Sequence, residues 1–147
     1  MSAAFLDSPA LVRPSATRSS ASVWAGRILF GIVVLFLTFD VGIKLALAKP
    51  ATAGTVQLGY QPHHVLTIGL IGLVCLILYV IPRTAPLGAV LWTGYLGGAV
   101  ASNLRLDLPL FSYTLFPIYV AAIIWGALYL RDERVRALVQ AIVRPAR

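Results

Sequence analysis

Four uninterrupted apolar stretches constrain this chain more than any other feature: Trp24–Ala48, Val65–Ile81, Pro86–Leu104 and Ser112–Leu130. Each runs for 17 to 25 residues. At about 1.5 Å rise per residue, a helix of that length matches a hydrocarbon core of about 30 Å. The stretches are continuous rather than alternating, and too long for barrel strands. Backbone groups in lipid must bond within their own segment, so helices are the natural spanning form. The pattern predicts an all-α integral membrane four-helix bundle spanning at 24–48, 65–81, 86–104 and 112–130. Composition agrees. Of 147 residues, 59% are hydrophobic and only 12% charged, whereas soluble domains are nearer half apolar and a quarter charged.

The net charge of +7 could point to nucleic acid, but its distribution points to a bilayer. Arg13, Arg18 and Arg27 lie before or early in the first stretch. Arg83 lies between the second and third, and Arg131, Arg134, Arg136, Arg144 and Arg147 follow the fourth. Nine of the 12 basic residues therefore fall on one side of a four-helix topology. The positive-inside rule makes that side cytoplasmic, with both termini on it. Nucleic acid is not needed to explain the charge. The lone Cys75 excludes an intrachain disulfide and paired-thiol chemistry, and reads as a small buried side chain.

Between the spans the chain is polar. Residues 1–23 read as a disordered cytoplasmic tail rich in Ser, Ala and Pro. "ALA" at 46–48 has the small-x-small form of a signal-peptidase site, but the long apolar stretch and the charges Asp40 and Lys44 argue against cleavage. "KPATAGTVQLGYQPHH" (49–64) has room for a short interfacial helix over Thr52–Leu58, ended by Gly59, with Pro62 opening the next helix. Residues 131–147 read as a basic cytoplasmic segment. Its Val135, Leu138, Val139 and Ile142 share one face of an amphipathic helix that lies at the interface.

Asp40 and Lys44 are the charges that need explaining. Four apart, they share a helix face. With the helix centred near Phe36, Asp40 lies about 6 Å and Lys44 about 12 Å beyond the midplane on the outer side. Lys44 can extend to the headgroups and Asp40 cannot. A central charge costs about 2.5–3.5 kcal/mol, and each Leu, Ile, Phe or Val returns about 0.3–0.6. "ILFGIVVLFLTF" carries ten such residues, so insertion tolerates the charge without explaining it. Two readings stand. One is a self-neutralising pair that pins helix depth. The other is a ligand-binding carboxylate in an outward-facing cavity, with Lys44 as its counter-ion.

The third helix adds to the second reading. At 100° per residue, Trp92, Tyr95, Ala99, Ser102 and Asn103 gather on one side, with Arg105 at the mouth. Gly94, Gly97, Gly98 and Ala101 gather on the other, a small face that lets a helix approach closely. Tyr113 and Pro117 open the fourth helix, where Pro117 either sits in the first turns or kinks the helix, freeing the carbonyl of Tyr113. Interfacial belts and packing are the plainer account of each aromatic. The candidate ligand-binding set is Asp40, Lys44, Trp92, Tyr95, Ser102, Asn103, Arg105 and Tyr113. His63 and His64 point about 100° apart on a helix and form no metal site.

"DVGIKL", "LGYQP", "LYVIPRTAPLGAVLWTGYLGGAVASNLRL", "PLFSYTLFPIY" and "WGALYLRDERVRAL" together resemble the DoxX-like family of small four-helix bacterial membrane proteins. The resemblance runs from about Arg27 to Leu138. It implies an inner-membrane bundle. It also implies a link to membrane redox complexes, since the family name comes from a thiosulfate:quinone oxidoreductase subunit. Asp40 and Lys44 stand where relatives carry an aspartate and a lysine, while relatives often have His at the positions of Asn103 and Tyr113. The resulting expectation is an accessory subunit, or a component that binds a quinone-type ligand, working with a membrane redox partner. Alternatives are a quinone-linked oxidoreductase, for which the residues show no cofactor site, and a transporter acting as a homo-oligomer.

Overall fold

The computed structural model describes residues 20–143. Helices follow the apolar stretches and stop where glycine, proline or a polar turn interrupts them. α1 spans Ser20–Leu45, α2 Lys49–Gln57, α3 His64–Val80, α4 Ala85–Arg105, α5 Phe116–Arg131 and α6 Glu133–Val143. A π-helical turn, Leu110–Thr114, precedes α5. There is no strand among the described residues. The predicted tail at 1–23 falls outside them up to residue 19, and Ser20–Val23 belong to α1. Residues 144–147 also lie outside them. α1 ends at Leu45, three residues before the apolar run does, because the chain turns there through Leu47 at φ 49°.

The four long helices pack in a ring: α1 against α3 and α5, and α4 against the same two. Interior positions are filled by Leu37 and Val41 of α1, Cys75 and Tyr79 of α3, Ala89 and Trp92 of α4, and Ile124 and Leu128 of α5. The Tyr79 hydroxyl crosses the ring to donate to the Ile124 carbonyl at 3.0 Å. The Trp125 indole donates to Thr93 Oγ1 at 2.9 Å, joining α5 to α4. These bonds satisfy polar groups that would otherwise be stranded among apolar side chains.

Glycine allows the closest approaches, though not the glycines of the "GYLGG" face. A side chain at Gly88 would collide with the backbone of Tyr79, so the α3–α4 hairpin closes on it. Gly26 lets α1 meet Leu130, and Gly69 and Gly72 let α3 meet Lys44, Leu45 and Val41. Gly94, Gly97 and Gly98 have nothing within 4 Å of where a Cβ would sit. Among the described residues nothing packs on Gly94 and Gly97, while Gly98 borders a cavity between the helices.

The outside of the ring is oily. Leu35 is 73% and Phe39 65% exposed, with Ile28 and Ile32 beside them on α1. α1 and the segment Leu110–Arg131 are long and apolar enough to cross a membrane; α3 is apolar but shorter. Only 17% of the apolar window of α1 is buried in the fold. A core helix of a soluble protein would hide most of that surface.

The charges separate to opposite ends. Arg131 stacks on the Phe30 ring at 3.8 Å, which puts the end of α5 beside the start of α1. Arg136 of α6 donates to the carbonyls of Tyr129 and Leu130 at 3.2 Å, holding α6 against that same end. Lys44 and Arg105 lie at the other end, beside α2 and the start of α3.

Candidate functional site

At the Lys44 end, the helices part to leave a cavity of about 300 Å³. All five elements there contribute: Phe36, Leu37, Asp40 and Lys44 from α1, Ile68 and Ile71 from α3, Trp92, Tyr95, Leu96 and Ser102 from α4, and Phe116 and Val120 from α5. Thr55 of α2, with Leu58 and Tyr60 just after it, forms the remaining wall. The lining is mainly apolar, with a few polar groups set into it. This is the usual make-up of a small-molecule site, at the small end of the size range.

Asp40 and Lys44 form an ion pair one helical turn apart. Lys44 does not run out to a headgroup layer as its stem would permit. It bends back onto Asp40, its side chain only 17% exposed, with its ammonium 5.9 Å from the centre of the Tyr95 ring. Tyr95 meets Trp92 edge-on at 5.0 Å. The charged face of α1 and the polar-aromatic face of α4 therefore meet across the cavity. The pair is both self-neutralising and turned into shared space. The Trp92 ring is fully buried, and its indole nitrogen has no hydrogen-bond partner among the described residues.

Five of the eight sequence-predicted residues line this space: Asp40, Lys44, Trp92, Tyr95 and Ser102. The other three stand beside it, in bonds to backbone or in the open. The Asn103 amide donates to the Tyr113 carbonyl at 2.7 Å. That carbonyl sits four residues before Pro117, which has no N–H to give it. Asn103 thus replaces the helical bond that proline removes. Arg105 donates to the Leu58 carbonyl at 2.7 Å, tying the end of α4 to the end of α2. The Tyr113 ring lies 58% exposed on the π-helical turn.

Sequence reasoning missed Thr55, Leu58 and Tyr60, because only the folding back of α2 brings them in. Tyr60 bonds to Ser102 at 2.7 Å. It also missed the edge-to-face contact of Phe36 and Phe116 at 5.9 Å, which belongs to the apolar wall. Its one available signal was the 3.6-residue period placing Phe36 on the face of Asp40. His63 and His64 stack with ring centres 4.1 Å apart. Among the described residues no group of three His, Cys, Asp or Glu side chains converges.

The model of the DoxX-like family matches residues 28–127, a stretch that holds the whole cavity. The chain belongs to the DoxX-like family. No curated protein and no solved structure matches it. For a DoxX-like protein the oily exterior fits: the family suggests a membrane protein, and two helices here have the length and apolarity to span.

Proposed function

We propose that this DoxX-like chain is a multi-pass four-helix bundle of the bacterial inner membrane that binds a lipophilic, quinone-type ligand in its outer-end cavity. It acts as an accessory subunit of a membrane redox system, handing over or holding the ligand rather than transforming it. The supporting observation is the shared cavity. It joins the Asp40–Lys44 pair to Trp92, Tyr95 and Ser102, and surrounds them with apolar wall. Such a wall suits a ring and tail taken from lipid. The paired charges, Tyr95 and Ser102 offer hydrogen bonds to polar atoms on the ring. α1, α3, α4 and α5 are the spans, and both termini and the Arg83 turn are cytoplasmic. The arginines gathered at one end of the ring support this orientation.

A transport role for an oligomer finds support in one observation, the face of α4 at Gly94 and Gly97, on which nothing packs among the described residues and which admits a second helix.

Binding is tested with a decyl-substituted benzoquinone, read by quenching of tryptophan fluorescence. Saturable quenching is expected for the wild type, with affinity reduced about tenfold or more in Asp40→Asn, the cost of leaving Lys44 without its counter-charge. Quenching that never saturates, or is equal in both proteins, contradicts the reading.

A further inference from the structure

We propose that α2, together with Leu58–Tyr60, is a hinged lid whose opening admits the ligand. The inference rests on the cavity being a ligand site, and adds how that site is controlled.

Three observations carry it. First, the lid hangs from a residue with left-handed backbone, Leu47 at φ 49°, and its own last turn is folded back by a second, Gly59 at φ 85°. Both close helix ends in the same way. The Ala48 N–H reaches back to the Ile43 carbonyl at 2.9 Å, and the Tyr60 N–H reaches the Thr55 carbonyl at 3.2 Å. Such turns let the chain change direction sharply, and a rotation about Leu47 swings α2 with Leu58–Tyr60 as a unit. Leucine is a costly residue in that conformation, so the hinge is held there by its surroundings.

Second, α2 is loosely seated. Thr55 is its one buried residue, and Thr55 faces the cavity. An element that buries so little opens at low cost.

Third, the closed position is held by two side-chain latches, both on the last turn of α4. Arg105 Nη2 donates to the Leu58 carbonyl at 2.7 Å. Tyr60 and Ser102 meet at 2.7 Å. The single hydroxyl proton of Ser102 goes to the Gly98 carbonyl at 2.9 Å, so Tyr60 is the donor of the second latch. Ser102 and Arg105 lie three apart, on neighbouring positions of one helix face. A net hydrogen bond shifts the closed–open equilibrium roughly two- to twelvefold. Two of them keep the lid shut while leaving opening accessible.

The test places a reporter thiol under the lid. In a Cys75→Ala background, Thr55→Cys is nearly isosteric and buried only while α2 is down. Its rate of modification by N-ethylmaleimide is compared with and without Tyr60→Phe or Ser102→Ala. A second reporter, Ala89→Cys, sits in the core away from the lid and reads loosening of the whole fold. Each latch variant is expected to speed the Thr55→Cys reaction about two- to twelvefold and leave Ala89→Cys unchanged. Equal rates with and without the latch overturn the lid, and so does parallel acceleration at both reporters. If Thr55→Cys does not fold, hydrogen exchange of residues 49–60 in Tyr60→Phe reads the same opening: faster exchange confined to that segment supports the lid, and unchanged exchange overturns it. No ligand is needed for either readout. An opening lid over a cavity that binds nothing sinks the functional reading, while a bound ligand under a lid that never opens sinks this one.

Discussion

A Cβ at Gly88 has no room, because the backbone of Tyr79 occupies its place, whereas at Gly94 nothing stands within 4 Å. The two residues look alike in the sequence, and Gly94 sits in the more suggestive motif. Gly88→Ala is expected to destabilise the protein by more than 2 kcal/mol, since backbone cannot step aside as a side-chain tip can. Gly94→Ala is expected to be neutral or to gain up to about 1 kcal/mol of helix propensity. Unfolding in mixed micelles by a denaturing detergent measures both. Asp40 and Lys44 are legible at this scale because helix geometry alone places them on one face. Their meeting with Tyr95 and Trp92 is partly legible, since the period gives each face but not how the helices turn toward each other. Asn103 and Arg105 stand beside the cavity rather than in its lining, for a physical reason. A polar side chain near a cavity and one bonded to backbone near a cavity look identical in sequence, and only the partner tells them apart.

Among the elements, α5 shows how one proline propagates. Pro117 lies in the first turn of α5 and leaves the Tyr113 carbonyl without its helical donor. The chain before it widens into a π-helical turn, and the carbonyl is taken by Asn103. Asn103→Ala is expected to cost about 0.5–1.5 kcal/mol, the loss of one part-buried hydrogen bond. In a Pro117→Ala background the restored N–H can reach Tyr113, so the same substitution is expected to cost less. Equal costs in both backgrounds would show that Asn103 is not standing in for the missing bond. The four long helices were legible from continuous apolarity, to within one to four residues at their ends. α2 was legible as a short helix ending near Gly59, but not as a wall of the cavity. Its position depends on bonds with Arg105 and Ser102, and no local pattern encodes contacts across more than 40 residues.

For the whole molecule, the separation of charge between the two ends is the basis of the proposed orientation. An arginine-rich end holds Arg27, Arg131 and Arg136, and the opposite end holds the cavity and α2. In intact cells, Gln57→Cys is expected to react with a membrane-impermeant maleimide and Arg83→Cys to react only after permeabilisation, both in a Cys75→Ala background. The reverse pattern would invert the topology and put the cavity on the cytoplasmic side. The central claim is that the cavity exists to hold a lipophilic molecule. It is tested most directly by mass spectrometry and absorption spectroscopy of the protein purified in mild detergent. The account predicts a quinone-type molecule at about one per chain, lost in Asp40→Asn. A wild-type protein carrying only ordinary bilayer lipids, in the same amounts as Asp40→Asn, would contradict it.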